Sequence, residues 1–375
     1  GTYHGILRSL AEIYRLLHQP LTQFISEREP RPESMKPADY QRTIAARAFD
    51  VTRYLLPLAA RTNVGQVVSI RTLEKQITRL LSSQLPELRS IGDELKDACQ
   101  RSPMNLWGEL CGQPGAQEPL ALTLARHAKP NDYQASVYQD LARYAKDALQ
   151  GTGLDQPASW GKPEPVDLIE SHDPLDEIVA TLLYRVSHAP YRNLLAVVRT
   201  WTEKQKQEAI DVAMSTRGPY DELIKEFRSG YAFTFDVLMD IGGWRDMHRH
   251  RRCQQIQQNF TTLHGYEIPP PLVQAGLDQE YSQAMDAVRL DIEQLKKTSA
   301  EGSLYATPFG FKVRCLFKMD YAEAEYIAKL RSGVKGHWSY RTIAWLMKQK
   351  LAARYPSLGD RIQATSPDIE DTLTR

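Results

Sequence analysis

Tyr231-Ala-Phe-Thr-Phe-Asp236, followed a few residues later by Trp244-Arg-Asp-Met-His-Arg-His-Arg-Arg252, is the stretch on which the fold class turns. Aromatic residues at 231, 233 and 235 alternate with small or polar ones, the two-residue period of a strand with two unlike faces. The basic stretch reads as a helix on which Arg245 and Arg249 stand four apart on one face and Asp246 faces His250. Arg249 and Arg251 are then about 200° apart, so a ligand meeting both requires the helix to end or unwind here. A clear strand running into a helix, within a chain otherwise dominated by helical spacing, predicts a helix-rich α+β fold with short strands.

Outward from this stretch the helical signal is dense. Ile6, Leu7, Leu10, Ile13, Tyr14 and Leu17 recur at i, i+3, i+4 and i+7, marking one buried face. Arg28 to Pro37 carries three prolines and ends that helix. Further helical stretches are expected over Ala38 to Leu55, around Leu73 to Leu81, and from Leu88 to Leu95. Beyond them lie Ser136 to Leu149, Asp173 to Val186, Leu194 to Met214, Gly218 to Arg228, Tyr281 to Lys297 and Tyr340 to Tyr355. Phe311 to Lys318 is a second strand candidate. Seven prolines between Arg101 and Pro165 mark a connecting region around short helices.

A spacing recurs along the chain. Pro57 is followed by Arg79 and, ten residues later, by Arg89; Pro308 is followed by Arg331 and, ten residues later, by Arg341. Each set follows a helix with a tyrosine near its start, Tyr3 or Tyr281. The expectation is a diverged tandem duplication. Residues 1–100 are the back part of a first copy, 101–165 an interdomain region, 166–358 most of a second copy and 359–375 a tail.

The formal net charge of +1 excludes a bulk-charge argument for nucleic acid or anionic membrane, leaving only local patches. Apolar runs such as Tyr54 to Ala60 are far shorter than the roughly 18 residues a spanning helix needs. Cys99, Cys111, Cys253 and Cys315 form no CxxC pair and are too sparse for a disulfide scaffold, which predicts a reducing, cytoplasmic compartment. The opening Gly1-Thr2-Tyr3 has neither an initiator Met nor a signal-peptide pattern, so a further segment is expected upstream.

Forked guanidiniums match phosphate oxygens, so the 245–252 stretch is either a solvated basic helix end or a phosphate clamp. Nucleic acid is the class it supports least, since no stacking aromatics interleave the arginines. His248 and His250 lack a partner at ligand spacing, and no metal is expected. Cys253 is a packed thiol unless its basic neighbours lower its pKa. No GxGxxG, GxxxxGK[ST], GxSxG or HExxH occurs.

At these residues the chain resembles the flavin-dependent thymidylate synthases. Phe233-Thr-Phe235 followed by Arg249-His250-Arg251 is similar to that family's F-[ST]-F strand and the start of its R-H-R-x-x-S-x-N-E-x-S-x-R-Y signature. Arg53 to Pro57 resembles its A-R-x-x-L-P, Ser69-Ile-Arg71 its N-x-R, and Arg79 to Arg89, including Glu87, its L-R-x(5)-Q-x-E-I-R; Leu330-Arg331 to Arg341 repeats the last. The resemblance covers residues 1–95 and 166–358, in the pattern of the family's long, tandem form. It implies two diverged copies of that fold and reductive methylation of dUMP, with methylenetetrahydrofolate giving the carbon, FAD the hydride and NADPH reducing the flavin. By the same resemblance Arg249, His250, Arg251 and Arg71 are flavin-side residues, and Arg53, Arg79 and Arg331 contact the nucleotide; no catalytic residue is assigned. The implied assembly is a homo-oligomer, a dimer with pseudo-tetrameric symmetry. After R-H-R the signature fails, with Gln254, Ile256, Gln257, Asn259, Thr261 and Thr262 at its specified positions. Those positions hold the pyrimidine nucleotide in the family. The alternatives are therefore a non-catalytic homologue that keeps the fold and an anion site, or a nucleotide hydroxymethylase.

Overall fold

The computed structural model describes residues 2–102, 119, 122–154, 156–169, 173–218, 221, 224–360 and 362–371. Cys111 and part of the proline-rich stretch fall outside them. The fold is helix-rich α+β. Two compact units are present: Gly1–Arg61 with Lys146–Lys206 and Ile224–Arg375, and Thr62–Ala145 with Gln207–Leu223.

The first unit is built on a four-stranded antiparallel sheet. Strands β1 (Val166–Ile169), β2 (Phe233–Asp240), β3 (Gln254–Gln257) and β4 (Lys312–Met319) lie in the order β1-β2-β4-β3. The central pair runs eight residues in register, from Phe233 opposite Met319 to Asp240 opposite Lys312. Phe233, Phe235, Val237 and Met239 face the same side as Val313, Cys315, Phe317 and Met319, forming a core with helices Tyr3–Arg28, Asp278–Lys296 and Trp338–Arg354. Each aliphatic side chain fully buried there contributes about 1.5–3 kcal/mol.

The alternation in Tyr231 to Asp236 predicts a strand with two unlike faces, and every residue of β2 is buried on both. The polar face lies under helices Pro174–Val186 and Tyr191–Val198, which satisfy it internally. Lys318 Nζ is 2.8 Å from both Glu177 Oε1 and Thr181 Oγ1. Asp236 accepts from Tyr184 Oη (2.9 Å), the Tyr191 backbone N–H (2.8 Å) and Arg314 Nη1 (2.9 Å). Burial pushes the Lys318 pKa down against the pull of Glu177.

The segments around Pro57 and Pro308, matched by spacing, are direct antiparallel partners. Leu58 N–H donates to Thr307 O and Phe309 N–H to Leu56 O, both at 2.9 Å; Ala59 N–H donates to Tyr305 O and Gly310 N–H to Tyr54 O, both at 2.8 Å. The offset of 251 residues that carries Pro57 to Pro308 converts each bond into its mate, so the exchange is reciprocal about a local twofold. Gly310 is required by close approach: a Cβ there would lie 2.5 Å from Tyr281 Oη and 3.2 Å from Tyr54 O.

Several elements depart from the sequence expectation. The Leu194 to Met214 stretch is two helices, Tyr191–Val198 and Glu203–Met214. The second begins with a reciprocal cap in which Gln205 N–H donates to Thr202 Oγ1 and Gln205 Oε1 accepts from Thr202 N–H. The described part of Gly218 to Arg228 holds only a 3-10 turn, Lys225–Phe227, and Lys225 Nζ donates to Gln255 O on β3 at 2.6 Å. The second unit contains helices Ile70–Leu81, Pro86–Cys99 and Leu122–His127, with Ile77, Leu81 and Ala128 at its centre. No described helix is long and apolar enough to cross a membrane.

Candidate functional site

Strand β2 ends at Asp240, whose carboxylate caps helix Ile241–Met247 by accepting from Gly243 N–H. That helix stops two residues before Arg249, and His250 N–H turns back to Met247 O at 3.2 Å. The unwinding that the Arg249/Arg251 geometry demands is therefore present, and each basic residue takes a different direction. Asp246 does not face His250 as a continued helix would require.

Asp246 instead stands between two arginines from distant segments. Its Oδ1 is 3.3 Å from Arg249 Nη2 and its Oδ2 is 3.9 Å from Arg53 Nη2. Arg53 also lies 3.4 Å from Asp50 Oδ1. The Arg53 side chain is only 19% exposed, yet its Nε and Nη2 have no hydrogen-bond partner among the described residues. Burial raises the Asp50 pKa while Arg53 opposes the rise. His337 closes the inner side, stacked 5.7 Å from the Tyr54 ring with Nε2 3.2 Å from Asp50 O. Its pKa is pushed down to about 3, first by burial and then by the Arg53 charge.

His250 turns the other way and is buried. Its Nε2 accepts from Arg331 Nε at 2.8 Å, and its Nδ1 lies 3.4 Å from Glu323 Oε1. Burial, then the Arg331 charge, lowers its pKa to about 4, so it is a neutral acceptor at pH 7. Arg331 is held over the Tyr340 ring at 5.5 Å, leaving its terminal nitrogens free of His250. Arg249 and Arg251 are exposed. The arrangement offers anion contacts at Arg53 and Arg249, with Arg331 set by a neutral imidazole.

Arg53, Arg249, His250, Arg251 and Arg331 thus belong to the first unit, whereas Arg71 and Arg79 are exposed residues of helix Ile70–Leu81 in the second. Arg89 and Arg341 tie helix connections: Arg89 Nη1 donates to Ser83 O and Gln84 O, and Arg341 Nε to Ser332 O. Cys253 is no activated thiol, since burial pushes its pKa up to about 11. His248 packs on Trp244 at 4.7 Å and meets Gln255 Oε1 at 3.1 Å. Among the described residues no three His, Cys, Asp or Glu side chains group as a metal site. Sequence reasoning missed Glu323, which sits 73 residues from His250 and carries no local signal.

A helix-rich α+β fold whose strand-helix-turn unit presents arginines for an anion defines the class. Residues 171–357 match the family described as thymidylate synthase complementing protein, and the chain belongs to that family. Among curated relatives it is 24% identical over 346 residues to a UPF0159 protein of Chlamydia pneumoniae, covering 91% of this chain and 61% of the relative. It is 25% identical over 329 residues to one of Chlamydia muridarum (88% and 59%) and 23% identical over 329 residues to one of Thermoplasma acidophilum (86% and 60%). The chain spans about 60% of the length of these relatives.

Proposed function

We propose that this protein acts in FAD-dependent thymidylate synthesis, the reductive methylation of dUMP with methylenetetrahydrofolate and NADPH. Family membership supports the thymidylate synthase class. The observation that carries the reading is Arg53, largely buried with two unpartnered N–H nitrogens beside the Asp246–Arg249 pair. A largely buried guanidinium whose carboxylate neighbours Asp50 and Asp246 stand at 3.4 and 3.9 Å keeps N–H donors open to a further anion, and phosphate oxygens fit its fork. Arg53, Arg249 and Arg251 would hold phosphates, with His250 orienting Arg331 toward the same ligand set. The flavin, when bound, supplies hydride chemistry; the protein's share is binding and orientation. The reciprocal bonds at Pro57 and Pro308 support a tandem duplication with copies at 1–100 and 166–358, and with it a dimeric chain of pseudo-tetrameric symmetry.

A second reading is favoured by the positions following R-H-R. Ile256 and Gln257 are in β3, paired to Leu316 and Cys315; Thr261 and Thr262 are buried, and Asn259 accepts from Arg185 at 2.8 Å. Positions built into the sheet and core in this way fit a homologue that keeps a flavin or phosphate site without binding a pyrimidine nucleotide or catalysing its methylation. Titration with FAD, followed by absorbance near roughly 450 nm, and calorimetry with dUMP separate the readings. Binding of both supports thymidylate synthesis, flavin alone supports the second reading, and neither overturns both.

A further inference from the structure

We propose that the first unit carries a second ligand site, distinct from the arginine loop, which binds a small planar carboxylate between Arg314 on β4 and the Trp160 ring. A cavity of about 300 Å³ opens beside the sheet, its floor formed by Asp236 and Arg314 and its walls by Trp160 and His264. Its size is at the lower end of small-molecule sites.

The floor specifies an anion. Arg314 is 4% exposed, and among its guanidinium nitrogens only Nη1 has a hydrogen-bond partner among the described residues, the Asp236 carboxylate. Its Nε is buried and unpartnered. Asp236 accepts three hydrogen bonds, from Tyr184, Tyr191 and Arg314, and only one of them comes from the guanidinium. The Nε and Nη2 edge of Arg314 therefore remains as a forked donor, the shape that receives a carboxylate through two parallel bonds.

The walls add no negative charge. Asp167 is held by Arg192 through two bonds of 2.8 and 2.7 Å, and Glu164 by Lys350 at 2.7 Å, so both lining acids are compensated. Lys162 at the rim is then a cation in excess. His264 is neutral, its pKa lowered to about 3 by burial and by Arg314, and its Nε2 is buried without a partner. The Trp160 ring lies 5.9 Å from the His264 ring, giving an aromatic wall for a flat ligand body.

The test is calorimetric titration of the full chain with benzoate and 2-naphthoate, using benzamide and 2-naphthamide as neutral counterparts of the same shape. Saturable binding of the carboxylates, with the amides about tenfold weaker or more, is expected from loss of charge-assisted bonds. Arg314→Lys, which keeps the charge beside Asp236 but removes the fork, is expected to weaken carboxylate binding about tenfold. Lys162→Ala, an exposed rim change that spares the fold, should weaken it roughly threefold at low salt. It decides the matter if Arg314→Lys does not fold. No saturable binding of either carboxylate up to about 20 mM, equal binding of acid and amide, or unchanged affinity in the folded variants overturns the proposal.

Discussion

Arg331 donates its Nε–H to His250 Nε2 at 2.8 Å, so a residue at the end of one helix is aimed by an imidazole 81 positions earlier in the chain. The imidazole must be neutral to accept that bond. Replacing His250 by Gln preserves an acceptor, whereas Ala removes it and leaves buried Glu323 to the more distant Arg252, 3.9 Å away. His250→Ala is expected to cost about 1–3 kcal/mol of stability and His250→Gln less, as read from urea denaturation midpoints. Equal losses would mean that the acceptor is not what the site needs.

Among the described residues four imidazoles share a depressed pKa: His250 at about 4, His264 and His337 at about 3, and His188 lowered chiefly by burial. In the unfolded chain each titrates near 6.5, so below that pH the unfolded state binds protons that the folded state refuses. Stability is therefore full above about pH 6.5 and declines as pH falls toward 4 and then 3, each group contributing a slope of up to about 1.4 kcal/mol per pH unit. Thermal unfolding at pH 7, 5.5 and 4.5 should show a falling midpoint. His250→Gln should flatten the upper part of that decline.

Beneath the sheet, Glu177→Gln strips the charge partner of a fully buried Lys318. The expected loss is about 3–5 kcal/mol, whereas the double change Glu177→Leu with Lys318→Met should recover most of it. Denaturant titration of both variants measures the difference. Recovery absent from the double variant would show that the pair is held for packing shape rather than charge.

At the twofold, Gly310→Ala forces a methyl group against Tyr281 Oη and the Tyr54 carbonyl. A loss of about 1–3 kcal/mol is expected, with the melting temperature as the measurement. An unchanged midpoint would mean that the two segments separate easily.

Arg249 is exposed, and among the described residues its ion pair is with Asp246. Arg249→Ala should leave the melting temperature of the free protein within the range of ordinary surface changes, about 0.5 kcal/mol, while weakening FAD or phosphate binding roughly tenfold or more. Calorimetry and thermal unfolding on the same sample distinguish loss of a ligand contact from loss of fold.

How far the chain could be read before folding depended on how local each signal was. The Tyr231 to Asp236 alternation located β2, and the spacing around Leu10 located the first helix, because both periods are written in adjacent residues. Strands β1 and β3, four residues each, have no such pattern; Gln254-Gln-Ile-Gln257 becomes a strand by pairing with β4. The alternation carried nothing about the environment of Asp236, since the helix residues Tyr184 and Tyr191 that bond it lie about fifty positions earlier. Among the site residues, the basic cluster was plain; the angle between Arg249 and Arg251 said only that a ligand meeting both would need the helix to end there, and it ends at Met247. Arg53 beside Asp246, Glu323 beside His250, and the free edge of Arg314 are products of tertiary contact alone.

The reciprocal bonds between the Pro57 and Pro308 segments join surfaces that are connected by their own chain. Two such surfaces on separate molecules would meet only as often as their concentration allowed. Tethering raises the effective concentration to the order of millimolar. The pairing is then indifferent to dilution, and the two segments exchange the same backbone bonds with different side chains. Leu56 can face Phe309 while Thr307 faces Leu58, and each side is free to acquire a different task while the backbone exchange between them persists.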